Sequence, residues 1–529
     1  MHISDKLIKK INENKYVKKT RRGVVSLIFS RIGLFAFLIL AQLFMMFYIY
    51  YNIRLGLTFT LTGATLIRFI LMLVILNVEG VSSANKNAWF LLIAILPFFA
   101  VAVFILSHYG IGYRMEQKKV VKTYHESQKY VESNDSLYKQ IKKEDPSFYK
   151  IAKYLKDYGN FPAFKETSAN YYKVGDDMYE AMMKDIKNAQ DFIFMEFFIL
   201  DYGFMWGNIL EELVKKVNQG VKVRLIIDGT NLITRVKSDF ADQMESMGIE
   251  CRIFSKMYPI VSTYLNNRDH RKIMVVDGKS AFTGGINLAD EYINVYERFG
   301  HWKDCGIRLE GSAVKSFTIM FLSMWNAIVD EAEDYTPFLK TYPKQDCEGS
   351  YVPFSDNPLD DEDLSKRILM DLIYGSKSYL YLMTPYLIVD EEILNGLKFA
   401  SKRGVDVRIC LPHVPDKKVA FALAKDNYKQ LLKAGIRIIE YTPGFSHSKV
   451  WLSDGNKAMV GTVNIDYRAL FHNFECGVLM DDSNAIGQIE KDFQIFFQVG
   501  SEVKKEDAEN INLSYRLLAK IAKPFSVLM

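Results

Sequence analysis

Two stretches of this chain carry histidine, lysine and aspartate at identical spacing. The pattern His-x-Lys-x-x-x-x-Asp occurs twice, and its members are His270, Lys272, Asp277, His447, Lys449 and Asp454. Each copy continues into a glycine-containing turn and then an asparagine, Asn287 or Asn464, which lies 17 positions after the histidine. Two half-sites with the same key residues at the same spacing predict one shared active site for phosphodiester chemistry.

A phosphodiester resists attack because its non-bridging oxygens are negative, so a catalyst needs cations, hydrogen-bond donors, a nucleophile and an acid. We expect Lys272 and Lys449 to contact the phosphate oxygens, with Asn287 and Asn464 donating amide hydrogens beside them. One imidazole can attack phosphorus while the other protonates the departing oxygen. Because side chains at i and i+2 share one face of a strand, each histidine and its lysine are expected on the same side.

Each histidine also needs a partner that orients its second ring nitrogen. Asp304 and Glu475 occupy equivalent places in two similar strings, DCGI and ECGV, that follow the motifs. These two carboxylates are therefore predicted to orient the histidines.

Asp277 and Asp454 are candidate catalytic residues, but each precedes a glycine in a dipeptide that forms turns, and a structural role fits equally well. His301 and His472 lie near the motifs without an equivalent in the other copy, which favours structural or surface roles. No metal is predicted, because the motifs contain no third carboxylate or histidine at ligand spacing and the lysines would repel a cation.

The sequence around the motifs repeats a strand, helix, strand order, which predicts an α/β fold. Its self-similarity predicts two copies of one domain related by a pseudo-two-fold axis. The segments that correspond are 192–200, 209–218, 220–228 and 248–254 in the first copy, and 379–388, 393–402, 404–411 and 435–441 in the second.

Composition limits the class of protein. A chain of 529 residues with 49% hydrophobic residues is long enough for two or three domains. Five widely spaced cysteines without a Cys-x-x-Cys pair indicate neither a disulfide framework nor a zinc site, and favour a reducing compartment. The net charge is only +5, with basic clusters at the amino terminus and after residue 110, which indicates anionic lipid rather than nucleic acid as a partner.

Three apolar segments, 32–51, 57–78 and 88–106, are predicted to be membrane helices. Eight Lys and Arg residues among the first 22 favour a cytoplasmic amino terminus, whereas the basic stretch after residue 110 favours a cytoplasmic catalytic region. Three spans cannot satisfy both, so the number and orientation of the spans stay open. We expect a multi-pass protein of the cell membrane with cytoplasmic catalytic domains.

The predicted divisions of the chain are a basic segment at 1–31, a membrane region at 32–109, a basic linker at 110–170, the two repeated domains at 171–345 and 346–500, and a basic amphipathic tail at 501–529.

The motif strings HRKIMVVDGKSAFTGGIN and HSKVWLSDGNKAMVGTVN resemble the signature of the phospholipase D superfamily over about residues 175–500. Within it, GGINLADEY, NIDYRALFHNFE and the apolar NKNAWFLLIAILP are similar to bacterial cardiolipin synthases, as is the tail RLLAKIAKPFSVLM. The segment 32–51 exceeds the two membrane helices usual in that family. The resemblance implies two α/β/α sandwich domains of phospholipase D type behind amino-terminal transmembrane helices.

The resemblance also implies transfer of a phosphatidyl group between two phosphatidylglycerol molecules, giving cardiolipin and glycerol through a phosphohistidine, without metal or nucleotide. By resemblance His270 is the nucleophile and His447 the general acid and base, although the residues alone permit the reverse. A hydrolytic phospholipase D or another transphosphatidylase would use the same residues. A superfamily nuclease and a non-enzymatic membrane scaffold are less favoured, because no groove for nucleic acid is evident and both motifs are intact. The oligomeric state is not predicted.

Overall fold

The computed structural model describes residues 57–78, 83–96, 114–132, 134–256, 267–340, 347–360 and 362–528, together with residues 40, 44, 99, 100, 103 and 104. Most of the predicted span 32–51 lies outside these residues. Among the residues described, no helix is both long enough and apolar enough to cross a bilayer. The predicted transmembrane helices are therefore not confirmed.

The described chain alternates strands and helices. The strands are β1 (Thr167–Tyr172), β2 (Phe192–Phe197), β3 (Lys222–Asp228), β4 (Glu250–Phe254), β5 (Arg268–Asp269), β6 (Lys272–Val276), β7 (Ser280–Gly284), β8 (His301–Lys303), β9 (Gly306–Gly311), β10 (Ser350–Asp356), β11 (Tyr379–Met383), β12 (Leu387–Ile388), β13 (Asp406–Pro412), β14 (Arg437–Tyr441), β15 (Gly444–Ser446), β16 (Val450–Ser453), β17 (Lys457–Gly461), β18 (Ile465–Asp466), β19 (Asn473–Asp481) and β20 (Ser501–Glu502).

The α-helices are α1 (Leu57–Leu76), α2 (Ser83–Ile95), α3 (Arg114–Ser127), α4 (Asp135–Glu144), α5 (Pro146–Gly159), α6 (Gly175–Asn188), α7 (Phe204–Asn218), α8 (Asn231–Thr234), α9 (Phe240–Glu245), α10 (Val314–Ile328), α11 (Leu364–Gly375), α12 (Glu391–Lys402), α13 (Lys418–Lys433), α14 (Tyr467–Phe471), α15 (Ile486–Val499), α16 (Lys505–Glu509) and α17 (Leu513–Ala522). Short 3₁₀ helices cover Gln128–Tyr130, Asp290–Ile293, Thr336–Phe338 and Lys523–Leu528.

Two sheets with the same strand order form the centre of the molecule. The first sheet runs β1-β9-β7-β6-β2-β3-β4, and the second runs β10-β19-β17-β16-β11-β13-β14-β20. In each, three parallel strands (β2-β3-β4 and β11-β13-β14) adjoin an antiparallel group that contains the motif strand, β6 or β16. The predicted α/β class and the predicted duplication are confirmed. β1 begins at Thr167, before the predicted domain start at residue 171.

Both faces of the first sheet are covered. Successive side chains of β2 point to opposite faces. Phe192 and Phe194 belong to a large core that continues into the second repeat, whereas Ile193 and Met195 belong to a separate core with residues of α6 and α7. A strand buried on both faces needs an almost continuous apolar run, and FIFMEF provides one.

The two repeats are joined by two short parallel strand pairs that cross between them. In one, β5 of the first repeat pairs with the start of β19 in the second. In the other, β15 of the second repeat pairs with β8 of the first. Since β5 and β15 each end one residue before a motif histidine, these pairs bring both motifs to the junction between the repeats.

Candidate active site

His270 meets a carboxylate of the opposite repeat. Asp269 of β5 lies opposite Phe474 of β19, so the next residue, His270, lies opposite Glu475. The His270 backbone N–H donates to the Phe474 carbonyl at 2.9 Å. Its Nδ1 lies 2.9 Å from Glu475 Oε2, which leaves Nε2 as the nitrogen available for chemistry.

The second half-site has the reciprocal arrangement. Ser446 of β15 lies opposite Lys303 of β8, which places His447 opposite Asp304. The His447 backbone N–H donates to the Lys303 carbonyl at 2.7 Å, and His447 Nδ1 lies 2.7 Å from Asp304 Oδ2. Each motif histidine thus depends on the other repeat for its carboxylate.

The motif lysines belong to the same buried cluster. Lys272 Nζ donates to the His270 carbonyl at 2.5 Å, and Lys449 Nζ donates to the His447 carbonyl. All four side chains are buried. The charge of Lys449 lowers the pKa of His270, and the charge of Lys272 lowers that of His447. The charge of each lysine thus affects the histidine of the other half-site as well as its own.

The two carboxylates have different surroundings. Glu475 accepts hydrogen bonds from the Thr462 hydroxyl and, at 3.0 Å, from Asn473 Nδ2. Asp304 accepts from the Cys305 backbone N–H at 2.8 Å and from Trp302 Nε1 at 3.4 Å. The pseudo-symmetric site thus has two chemically distinct halves.

The carboxylates also differ in their affinity for protons. Burial raises the pKa of Glu475 to about 7, against the opposing effect of Lys272. Burial would also raise the pKa of Asp304, but His447 and Lys449 outweigh it and hold this pKa below its ordinary value. The surroundings thus favour the ionised form of Asp304 and, more than those of an exposed carboxyl, the protonated form of Glu475.

Burial likewise favours the neutral forms of the bases. It lowers the pKa of His270 well below its ordinary value, and that of His447 to about 4, with the motif lysines adding to both effects. Burial also lowers the pKa of Lys272 to about 8 and that of Lys449 to about 7. An anion between the lysines would raise all four pKa values, because it would favour the protonated form of each base.

Asp277 and Asp454 are not brought to the histidines. The carboxylate of Asp277 accepts hydrogen bonds of 2.8 to 2.9 Å from the backbone amides of residues 190–192, just before β2. Asp454 accepts bonds of 2.7 to 2.9 Å from the amides of residues 377–379, at the start of β11. Each aspartate lies at the end of its motif strand remote from the lysine, with a positive φ of 56° or 52°. These contacts favour the structural role in a turn, and the catalytic role of the two aspartates stays an untested prediction.

The two asparagines are buried beside the motifs. Asn287 Oδ1 accepts from the Ile199 backbone N–H at 2.9 Å, which positions its amide group. Asn464 Oδ1 has no hydrogen-bond partner within the described part of the chain. The protein therefore constrains the side-chain amide of Asn464 less than that of Asn287.

Aromatic rings and further cations complete the two halves. The rings of Tyr292, Trp302 and Phe445 lie 5.6 to 5.9 Å from that of His447. On the other side, the charges of Lys417 and Arg468 contribute to the lowered pKa of His270. Sequence reasoning missed these residues as members of the site. Two of them had a signal, since Tyr292 ends the string GGINLADEY and Arg468 lies within the string NIDYRALFHNFE.

The remaining nearby histidines make contacts outside the motif cluster. His301 Nδ1 lies 2.9 Å from the Tyr441 hydroxyl, and His472 Nε2 lies 3.1 Å from the Val527 carbonyl. Among the residues that the structure covers, there is no group of His, Cys, Asp and Glu side chains able to hold a metal ion.

Comparisons of the sequence with known proteins find relatives that share both repeats. A family model described as "Cardiolipin synthase, PLD-like domain" matches residues 182–303 and 369–496, once in each repeat. An uncharacterized protein of Streptococcus mutans is 41% identical over 436 residues, which cover 82% of this chain and 94% of that protein. Cardiolipin synthase 2 of Bacillus cereus is 28% identical over 462 residues, 86% of this chain and 89% of the relative.

Among solved structures, the phosphatidylserine synthase of Haemophilus influenzae has a similar fold, with a TM-score of 0.55 and 15% identity. The match covers 72% of this chain and 99% of that structure. The family model thus matches both repeats, including both motifs, and the alignment with the Streptococcus protein covers nearly its full length. The chain belongs to the cardiolipin synthase family, whose members carry phospholipase D-like domains.

Proposed function

We propose that this protein is a cardiolipin synthase, which transfers a phosphatidyl group from one phosphatidylglycerol to a second and releases glycerol. The observation that carries the proposal is the reciprocal completion of the half-sites, in which each motif histidine contacts a carboxylate of the other repeat. This arrangement supplies two imidazoles and two lysines to one phosphate, as a double displacement at phosphorus requires.

In the first displacement, His270 Nε2 attacks the phosphorus of the donor lipid. A nitrogen–phosphorus bond forms as the bond from phosphorus to the glycerol oxygen breaks, and His447 gives its proton to that oxygen. Lys272 and Lys449 neutralise the charge that develops on the non-bridging oxygens. Glycerol and a phosphatidyl-histidine are the products of this half-reaction.

In the second displacement, a primary hydroxyl of the acceptor phosphatidylglycerol attacks the same phosphorus. His447, now neutral, takes the hydroxyl proton, the new oxygen–phosphorus bond forms, and the bond to His270 breaks. Both histidines return to their starting protonation states. Water in place of the acceptor would give phosphatidic acid, so the acceptor must compete with water for one position.

The different carboxylates support this division of roles. An ionised Asp304 beside His447 favours the imidazolium form. Once a bound phosphate offsets the two lysines, the pKa of His447 rises from about 4 and the ring can carry the proton it must donate. His270 faces a carboxyl whose pKa is raised to about 7, so its ring is less strongly drawn to the protonated form and stays available as a nucleophile.

The substrates place this enzyme at a membrane. We propose that it acts at the bacterial cell membrane with its catalytic repeats on the cytoplasmic side, and that the apolar segments 32–51, 57–78 and 88–106 attach it there. The support is their composition, together with the basic stretch after residue 110. Anionic phosphatidylglycerol also fits the cationic site.

The test is to incubate the purified full-length chain with phosphatidylglycerol alone, without metal or nucleotide, and to separate the lipid products by thin-layer chromatography. We expect cardiolipin and an equal amount of glycerol from the wild type, and none from His270→Ala. His125→Ala is the matched control, because His125 lies on α3 at an exposed position and should keep full activity. Phosphatidic acid as the main product would replace the synthase by a hydrolase, and an active His270→Ala variant would contradict the mechanism.

A further inference from the structure

Helix α17 presents an apolar stripe to solvent. Leu513, Leu517 and Ile521 are spaced four residues apart, which aligns them on one face of the helix. Their exposed fractions are 76%, 58% and 61%. On the opposite face Ala519 and Ala522 are buried, so α17 is fixed to the domain by its small residues and leaves its large ones uncovered.

The charged side chains of α17 itself are basic, while Lys523, which follows the helix, forms an ion pair with Asp426 of α13 at 2.6 Å. Residues 513–528 include Arg516, Lys520 and Lys523 and no Asp or Glu. Arg516 and Lys520 each lie three residues after a leucine of the stripe, beside the apolar face. A helix with exposed leucine and isoleucine flanked by basic residues is the form that lies in the interface of an anionic bilayer.

A second uncovered apolar surface is linked to the stripe through contacts between helices. The 3₁₀ helix that follows α17, Lys523–Leu528, contacts α2, and α2 contacts α1. On α1, Leu66, Phe69 and Leu73 are exposed by 57%, 59% and 43%. Two exposed apolar helix faces in one connected unit indicate a surface that contacts a partner or a membrane.

The same unit is attached to the active-site end of the second repeat. The Val527 carbonyl lies 3.1 Å from His472 Nε2, at the end of α14, and α14 carries Arg468. Helix α17 packs on α13, with the rings of Tyr515 and Phe421 5.5 Å apart. Helix α13 begins directly after Lys417. The charges of Lys417 and Arg468 add to the effect of burial and of the motif lysines in lowering the pKa of His270.

We propose that Leu513, Leu517 and Ile521 of α17 dock the enzyme onto the surface of an anionic lipid bilayer, with the His270 half of the active site towards the lipid headgroups. The occupant of the stripe is the bilayer rather than a second copy of this chain, because Arg516 and Lys520, which border the stripe on α17, are both basic and would repel their counterparts on a second copy. The proposal deepens the proposed function and rests on it for the substrate, since a lipid must reach His270 from the membrane. Anionic headgroups would bind Arg516 and Lys520 while the stripe enters the acyl boundary.

The contact can be tested without any enzymatic turnover. Of the five cysteines, only Cys347 is not buried, so a Cys347→Ser background allows labelling of an introduced Leu517→Cys with a polarity-sensitive dye. The control label is Lys187→Cys, an exposed position on α6 close to the Asp277 turn, at the strand end remote from the histidines. With full-length protein and vesicles of phosphatidylglycerol and phosphatidylcholine, acyl-chain quenchers should quench the dye at 517 at least about fivefold more than at 187.

Equal quenching at the two positions would overturn the proposal, and so would a shift of the 517 dye that follows protein concentration without vesicles. A second measurement uses Leu513→Ser/Leu517→Ser/Ile521→Ser, with Leu513→Ile/Leu517→Ile/Ile521→Leu as the matched control. The serine variant should lose about tenfold of its cardiolipin formation on vesicles but less than twofold in detergent micelles, where no docking is needed. An equal loss in both would mean damage to the fold and would also overturn the proposal. If the wild type quenches as expected but makes no cardiolipin, the proposed function fails while the docking surface stands.

Discussion

The difference between the two half-sites arises from single side chains. Gly285 and Thr462 are equivalent positions in the GG and GT turns that follow the motifs. A Cβ at position 285 would lie 1.9 Å from Asp304 Oδ1, so the shorter carboxylate needs glycine there. In the other half, Thr462 donates its hydroxyl to the longer Glu475. The two turns are thus matched to their carboxylates.

A pH profile should reveal the Glu475 carboxyl. Its pKa is raised to about 7, so below that pH it is protonated and no longer accepts the Nδ1 proton of His270. We expect kcat/KM of the wild type to fall as the pH drops through 7. Glu475→Gln should lower kcat/KM by about 10- to 100-fold at pH 8 and remove this acidic limb.

The matched variant is Glu490→Gln, whose carboxylate accepts from the Tyr379 hydroxyl at the start of β11, near Asp454, and which should keep the wild-type profile. Wild-type turnover together with an unchanged acidic limb in Glu475→Gln would exclude this carboxyl from the mechanism.

The residue types in the sequence predicted which residues lie in the site more reliably than they predicted how those residues are arranged. The repeat alignment singled out Asp304 and Glu475, which the structure places beside the histidines. The same motif pattern included Asp277 and Asp454, although strand geometry separates Asp277 from Lys272 by about 16 Å over five residues. A motif defines which residues occur together, and here its aspartate serves the turn that anchors the motif strand.

At the scale of elements, the crossing pairs β5–β19 and β8–β15 determine which carboxylate serves which histidine. These are pairs of two or three residues. Such short strands have no hydrophobic periodicity, so sequence analysis predicted the long buried strands of each repeat but not their exchange of partners. The reciprocal contacts could be learned only from the register of these pairs.

Gly444 makes the β8–β15 pair sensitive to substitution. A Cβ at this position would lie 2.4 Å from the His301 carbonyl oxygen and 2.5 Å from the His301 nitrogen. Gly444→Ala should therefore push β15 away from β8 and separate His447 from Asp304. We expect kcat to fall about 10- to 100-fold, with a smaller effect on the midpoint of thermal unfolding.

Gly487→Ala is the control, because Gly487 lies in α15 with no atom within 4 Å of the added Cβ. Its kcat should equal that of the wild type. If the kcat of Gly444→Ala also equalled that of the wild type, the β8–β15 pair could shift without consequence for the site.

At the scale of the whole molecule, the chain has the organisation of a dimer within one polypeptide. The two sheets have the same strand order, and a common core of buried residues extends from α5 and α10 into the second sheet. Self-similarity of the sequence was sufficient to predict this duplication. The prediction of amino-terminal membrane spans depended on composition alone, and composition does not determine how apolar segments pack.

Because both half-sites belong to one chain, inactive variants should not restore each other. In the proposed mechanism His270→Ala lacks the nucleophile and His447→Ala lacks the acid, and each variant retains only the other histidine. If the reciprocal contacts form within one chain, as His270 with Glu475 and His447 with Asp304 do here, a mixture of the two variants contains no complete site. We expect it to make no more cardiolipin than either variant alone. The mixture should be co-refolded or co-expressed, so that any exchange of repeats between chains has the opportunity to occur.

The matched control combines each variant with the double variant His270→Ala/His447→Ala, which cannot complement by any exchange. Activity in the first mixture above that of the control would require a repeat from one chain to pair with a repeat from another. In that case β5–β19 and β8–β15 would form between chains as readily as within one. The covalent link between the repeats argues for the opposite outcome, because it holds each carboxylate near its histidine at a high effective concentration.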